Sequence, residues 1–216
     1  LVSIACLATT AFFFLEHGSV TRAWKPSIAV AGIVTGITFI HSMYVGNIWV
    51  ATGDSPIIYR YVDWLITIPL LTVQFYLVLS AVKKVSPILF WKFLIAPLAM
   101  VLGCYAGEAG YISSFLGFVI WMVGWIYILY EIFPGEAGRL CAKSTNDDLV
   151  TAFGKMRMIV TIGWTIYPLG YVFGYLTGGI DSNTLNVIYN FADFINKIAF
   201  GLVIWVAARN QHNESR

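Results

Sequence analysis

Charge is scarce in this chain of 216 residues. Asp, Glu, Lys and Arg make up 11% of it, where soluble domains carry about a quarter. With 59% hydrophobic residues and a mean hydropathy of +0.77, a soluble globular domain is excluded and an integral membrane protein expected. The apolar runs are long and continuous, so the spans are helical and not barrel strands. Cysteine is also scarce: Cys6, Cys104 and Cys141 have no CxxC spacing and read as small apolar fillers, with neither a disulfide nor a metal motif behind them. The net charge of +2 gives no nucleic-acid signal. No nucleophile motif, metal-ligand cluster or phosphate loop is present, so an enzyme is not expected. The chain opens inside the run LVSIACLATTAFFF without a start Met, and its first helix reads as truncated at its start.

Seven apolar segments follow one another: Leu1 to Leu15, too short as given to span; about Pro26 to Gly46; Pro56 to Val82; Ile88 to Tyr105; Tyr111 to Phe133; Leu149 to Thr177; and Asn183 to Arg209. Turn chemistry separates them, at Gly18, Thr52 to Pro56 (TGDSP), Ser86-Pro87, Gly107 and Gly110, Pro134-Gly135 and Gly178-Gly179. The one long polar connection runs from about Gly135 to Asp148. The expectation is a single all-α domain over residues 1–216, a seven-transmembrane-helix bundle. Basic residues fall in alternate loops: Arg22 and Lys25, then Lys83 and Lys84, then Arg139, Lys143, Lys155 and Arg157, then Arg209 and Arg216. The other loops hold Asp54, Glu108 and Asp181. That bias places the amino terminus outside and the carboxy terminus in the cytoplasm.

The seventh segment is long enough to cross a bilayer, yet carries Asp193 and Lys197 in its middle. A charge at membrane depth costs several kcal/mol, with estimates from ~3 to above 10. Two opposite charges four residues apart share a helix face and offset each other. A plain structural ion pair is one reading. The other is a reactive amine in an apolar pocket, suited to Schiff-base formation. In the third segment Arg60, Asp63, Thr67 and Gln74 fall within one narrow stripe, about 60° wide at 100° per residue, that climbs ~21 Å. Such a stripe must face the bundle interior, as a hydrogen-bonding seam or as stations for an ion.

RYVDWLITIPLL in the third segment, WTIYPLGY from Trp164 to Tyr171 and YNFADFINKIAFGL from Tyr189 to Leu202 resemble the microbial rhodopsins, most closely the proteorhodopsin group of light-driven proton pumps. The resemblance runs through every segment, including TGDSP and GEAG at Gly107 to Gly110. It implies all-trans retinal as a protonated Schiff base on Lys197, Asp63 as counterion and proton acceptor, Asp193 as second counterion, and Arg60 on the extracellular side of the pair. Thr67 would hydrogen-bond Asp63, and His41 would pair with it. Trp64, Trp125, Trp164 and Tyr167 would clamp the polyene, with Tyr189 and Asn190 flanking Asp193. Leu71 stands where the group shifts colour, and an apolar residue there suggests green absorption. Further implications are a bacterial inner (plasma) membrane, proton transport and a pentameric or hexameric homo-oligomer.

Gln74 departs from the pattern, because the pumps place a proton-donating glutamate there and an amide does not titrate. The acceptor half of the cycle remains, and reprotonation should be slow and pH-dependent. A slow pump, a photosensor needing a transducer, and a donor-less Glu→Gln variant of a pump remain open. A sodium pump would need Asn in place of Asp63 and Asp in place of Thr67; a chloride pump would lack Asp63. Glu108 reads as an exposed loop carboxylate, with a role in proton release as the alternative.

Overall fold

The computed structural model describes residues 1–53 and 57–214. Asp54, Ser55 and Pro56 of the TGDSP turn, and Ser215 and Arg216, lie outside the described residues. Nine α-helices are present among those described: α1 Val2–Glu16, α2 Lys25–Thr52, α3 Ile57–Val82, α4 Pro87–Glu108, α5 Ser114–Ile132, α6 Glu136–Ala142, α7 Asp147–Thr161, α8 Ile166–Tyr171 and α9 Ser182–Glu214. They build seven spans long and apolar enough to cross a membrane. Two expectations are corrected. The first segment, read as too short, reaches 18 residues because a 3-10 turn at His17–Ser19 extends α1. The connection from Gly135 to Asp148 is largely helical, since α6 forms within it.

Local chemistry sets the helix ends. Ser86 caps α4 by accepting from the Ile88 N–H, with Pro87 at the first position, where its missing N–H costs nothing. Ser113 caps α5 through the Leu116 N–H at 3.2 Å, and Asn146 caps α7 through the Leu149 N–H at 2.7 Å. Asp147 and Asp148 add negative charge to the first turn of α7, where the helix dipole favours it. α2 ends at Gly53, whose φ of 72° is left-handed.

Successive spans are neighbours, and α9 closes the ring against α1, α2 and α7. In lipid there is little hydrophobic drive between helices, so close packing of small residues holds them. Gly103 and Gly107 of α4 face Ile120 and Gly117 of α5. A Cβ at Gly107 would come within 2.9 Å of the Gly117 Cα, so only glycine permits this approach. At the end bearing the basic loops, long-range bonds tie the ring together. Trp24 Nε1 donates to Gln211 Oε1 at 2.7 Å, Arg209 Nη1 to the Ser19 carbonyl at 2.9 Å, and Lys83 Nζ to the Leu140 carbonyl at 2.6 Å.

The sixth span is interrupted. Between α7 and α8 lies a 3-10 turn, Gly163–Thr165, and after α8 comes a π turn, Val172–Leu176. Such irregularities inside a spanning helix are tolerated where neighbouring side chains satisfy the freed backbone. Here Pro168 and α9 lie beside them.

Candidate functional site

The stripe on α3 faces inward: Arg60, Asp63, Thr67 and Gln74 are all buried. Asp63 meets Lys197 of α9 in the core. Lys197 Nζ contacts Asp63 Oδ2 and lies 3.1 Å from Asp193 Oδ2. The Asp193 carboxylate also accepts from Trp64 Nε1 at 3.0 Å and from the Tyr167 hydroxyl at 2.5 Å. Asp63 Oδ1 accepts from the Thr38 hydroxyl at 3.3 Å. A buried ion pair holds only if its remaining lone pairs are bonded, and Trp64, Tyr167 and Thr38 complete that shell.

Flat rings wall the amine. Trp64 packs edge-on against Trp121, Tyr167 and Tyr189 with centroids 5.6, 5.2 and 5.4 Å away. Trp164 is buried in the 3-10 turn, and Leu71 is buried two turns along α3 from Trp64. The Tyr189 hydroxyl donates to the Tyr167 carbonyl at 2.9 Å, which fixes α9 against α8.

Three expectations change. The Thr67 hydroxyl donates to the backbone carbonyl of Asp63 at 3.0 Å and not to its carboxylate, because a helical threonine reaches back to the carbonyl four residues earlier. His41 does not bond Asp63: among the described residues its Nε2 has no hydrogen-bond partner, and Thr38, one turn earlier on α2, takes the carboxylate oxygen. Trp125 sets its indole N–H on the Val160 carbonyl at 3.0 Å, and Trp121, one turn earlier on α5, meets the Trp64 ring. Glu108 is not exposed. Its side chain is 1% accessible, and Oε2 lies 3.6 Å from Arg60 Nη1, since the last turn of α4 tucks the carboxylate beneath α3.

Arg60 is held from several sides. Nη2 donates to Asn186 Oδ1 at 2.6 Å, and the guanidinium lies over the Tyr189 ring at 5.0 Å. His41, Arg60, Asn186, Tyr189, Asn190 and Asp193 line a cavity of ≈ 10 Å³, about the room one water takes. It adjoins a cavity of ≈ 310 Å³ between α1, α2 and α9, with which it shares Val45, Asn186 and Asn190.

Toward the basic end aromatic rings fill the core around Gln74. Gln74 is buried and donates from Nε2 to the Ser27 carbonyl of α2 at 3.2 Å. Beside it Phe75 meets Phe93, Phe153 and Phe200, with centroids 5.8, 5.0 and 5.6 Å away, so rings from α3, α4, α7 and α9 form one layer.

Sequence reasoning missed Thr38, Trp121 and Asn196. Each had a faint signal: Thr38 lies one turn from His41, Trp121 one turn from Trp125, and Asn196 is a lone amide beside Lys197 in an apolar run.

The family model described as bacteriorhodopsin-like protein matches residues 1–211. The blue-light absorbing proteorhodopsin of Gamma-proteobacterium Hot 75m4 is 45% identical over 216 residues, covering 99% of this chain and 86% of the relative. The green-light absorbing proteorhodopsin of Gamma-proteobacterium EBAC31A08 is 46% identical over 215 residues with the same coverage. Among solved structures, the blue light-absorbing proteorhodopsin from Med12 superposes with a TM-score of 0.84 at 43% identity, covering 98% of this chain and 96% of that one.

Proposed function

Since this chain belongs to the bacteriorhodopsin-like family of seven-helix membrane proteins, the microbial rhodopsins, we propose that it is a retinal-binding, light-driven outward proton pump of proteorhodopsin type whose cycle is slowed by Gln74. The observation that carries this reading is Lys197 Nζ, buried between Asp63 and Asp193. The residues fit a retinal Schiff base. The amine is enclosed, two carboxylates face it, and Trp64, Trp121, Trp164 and Tyr167 provide flat apolar walls. When bound, retinal supplies light absorption and isomerisation.

The chain's own groups handle the proton. Asp63, in contact with Nζ, accepts it at Oδ2, and Thr38 steadies the other oxygen. Asp193 stays fixed by Trp64 and Tyr167 and holds negative charge at the site throughout. Arg60, a fixed cation, favours the ionised form of Asp63 and so its release of the proton, toward Glu108 and the cavities lined by Asn186 and Asn190. In this reading the end bearing Glu108 and Asp181 faces outward and the basic end faces the cytoplasm of a bacterial inner membrane. Gln74 supplies no proton from that side, and the phenylalanine layer excludes water, so Nζ regains its proton slowly. Leu71 sets green absorption, and residues 1–216 form one membrane domain. By family resemblance the copies assemble as a pentamer or hexamer. The protein is not an enzyme.

A photosensory role is the second reading, favoured by Gln74, because slow recovery prolongs a signalling state. The test is external pH in an unbuffered suspension of cells given retinal and then illuminated. Acidification that a protonophore abolishes is expected. A pigment that bleaches and recovers without any pH change would favour the sensor. Absence of a visible band would remove the Lys197 assignment.

A further inference from the structure

The guanidinium of Arg157, on α7, lies between two aromatic rings. Its Cζ is 4.7 Å from the Phe153 centroid and 5.0 Å from that of Phe133. The residue is half-buried. Among the described residues no carboxylate pairs with it, and its Nε is buried without a hydrogen-bond partner. The Cys141 thiol of α6 is the one titratable group among them that bears on it, and the neighbour of that thiol is another cation, Lys83. A delocalised guanidinium is weakly hydrated enough to stack in this way, and the two ring faces offset part of its desolvation. It does not lose its proton in a protein, so the charge is permanent. Phe153 is fully buried and meets Phe75 edge-on at 5.0 Å. Through these two contacts the cation stands within ~10 Å of the Phe75 ring, in the layer beside Gln74.

We propose that Arg157 is an electrostatic barrier residue: its fixed charge, set into the phenylalanine layer between Phe133 and Phe153, repels a proton that crosses the layer toward Lys197. This rests on the reading of Lys197 as the retinal-bearing amine and deepens it, because it names a charge that opposes reprotonation. Gln74 brings no proton of its own, so one must come from the medium, and there it meets a like charge. Two unit charges of one sign ~10 Å apart, at an effective dielectric of ~20, repel enough to slow the passage roughly tenfold. Lys155, two residues earlier on α7, carries the same charge but is exposed. Counter-ions screen an exposed charge within ~8 Å at physiological salt, and a charge set among rings much less. Salt therefore separates the two cations.

The variants are Arg157→Met, which removes the charge and keeps an unbranched side chain, Arg157→Lys, which keeps the charge, and Lys155→Met. Flash photolysis of the pigment should show recovery roughly tenfold faster in Arg157→Met and as slow as before in Arg157→Lys. The gap should persist in about 1 M salt, where the screening length falls to ~3 Å, and any effect of Lys155→Met should vanish there. A second readout needs no pigment. In retinal-free protein, 4-cyanophenylalanine in place of Phe75 reports the local field through its nitrile stretch. That frequency should shift in Arg157→Met and stay in place in Arg157→Lys. Equal recovery in Arg157→Met and Arg157→Lys would overturn the proposal, and so would a nitrile that does not respond to Arg157→Met. If Arg157→Met fails to fold, Arg157→Gln carries the same two measurements. Failure of the unaltered protein to form pigment would instead overturn the Lys197 reading, and the nitrile would still decide whether the Arg157 charge reaches the layer.

Discussion

Arg60 and Glu108 form a buried ion pair, with Nη1 and Oε2 3.6 Å apart and side chains 8% and 1% accessible. Among the described residues neither Glu108 oxygen accepts a hydrogen bond of good geometry, although the Tyr61 and Tyr175 hydroxyls lie beside the carboxylate. The Arg60 charge therefore bears on a carboxylate in a place where an unpaired charge is costly.

Glu108→Gln leaves the guanidinium with Asn186, the Tyr189 and Trp64 rings and the Tyr175 hydroxyl beside it. Breaking a buried pair by removing one member costs about 3–5 kcal/mol, and the amide oxygen of glutamine recovers part of that. We expect the variant to unfold at a clearly lower temperature in detergent and to release its proton more slowly under a pH-sensitive dye. An unfolding midpoint and a release rate equal to those of the unaltered protein would show that the pair contributes nothing.

Gln74→Glu places a titratable group where the amide now donates to the Ser27 carbonyl. A protonated carboxyl fits the same contact, with its O–H in place of the N–H. A positioned general acid contributes roughly 100-fold or more. Flash photolysis should show recovery of the pigment accelerated on that order and far less sensitive to bulk pH. Unchanged recovery would mean that proton entry elsewhere limits the cycle. The chain is 45–46% identical to the two proteorhodopsins, so Gln74 is not a single change made in either of them.

Asp181 gives a pH dependence at the other end of α9. Its Oδ2 accepts from the Thr184 hydroxyl at 2.6 Å and its Oδ1 from the Thr184 N–H at 3.0 Å. These bonds hold the carboxyl below the usual carboxylate range. A depressed carboxylate stabilises the fold above its unfolded pKa, about 3.9, and the effect disappears as pH falls through the folded value. Protection of the Thr184 and Leu185 amides, corrected for intrinsic exchange, should therefore fall as the medium is acidified below pH ~4. In Asp181→Asn it should be lower throughout and flat with pH. A flat profile in the unaltered protein would rule out Asp181 as the cap.

Gly107→Ala tests the α4–α5 contact. The added Cβ meets the Gly117 backbone and the Tyr171 hydroxyl at 2.9 and 2.7 Å, and backbone does not yield cheaply. Overpacking of this kind costs about 1–3 kcal/mol. Gly46→Ala is the control: nothing lies within 4 Å of its Cβ, and alanine in a helix interior gains about 0.5–1 kcal/mol over glycine. Equal thermal shifts for the two would show that the close approach is not what matters.

The sequence by itself determined the seven spans, the inward stripe of Arg60, Asp63, Thr67 and Gln74, and the pairing of Asp193 with Lys197. These are local properties. Hydropathy over about 20 residues makes a span, and a 3.6-residue period decides which side chains share a face. It left open which of two residues one turn apart would reach a partner on another helix. Thr38 rather than His41 bonds Asp63, and Trp121 rather than Trp125 meets Trp64, because helix rotation and tilt choose between such neighbours, and packing around the whole ring sets both. The burial of Glu108 had the same origin: a carboxylate at the end of α4 looks exposed until the tilt of α3 places Arg60 above it. The hydrogen bond from the Asn196 amide to the Gly163 carbonyl was decided only by tertiary structure, since it joins α9 to an irregular turn in another span, and no period in the sequence records where a helix will break.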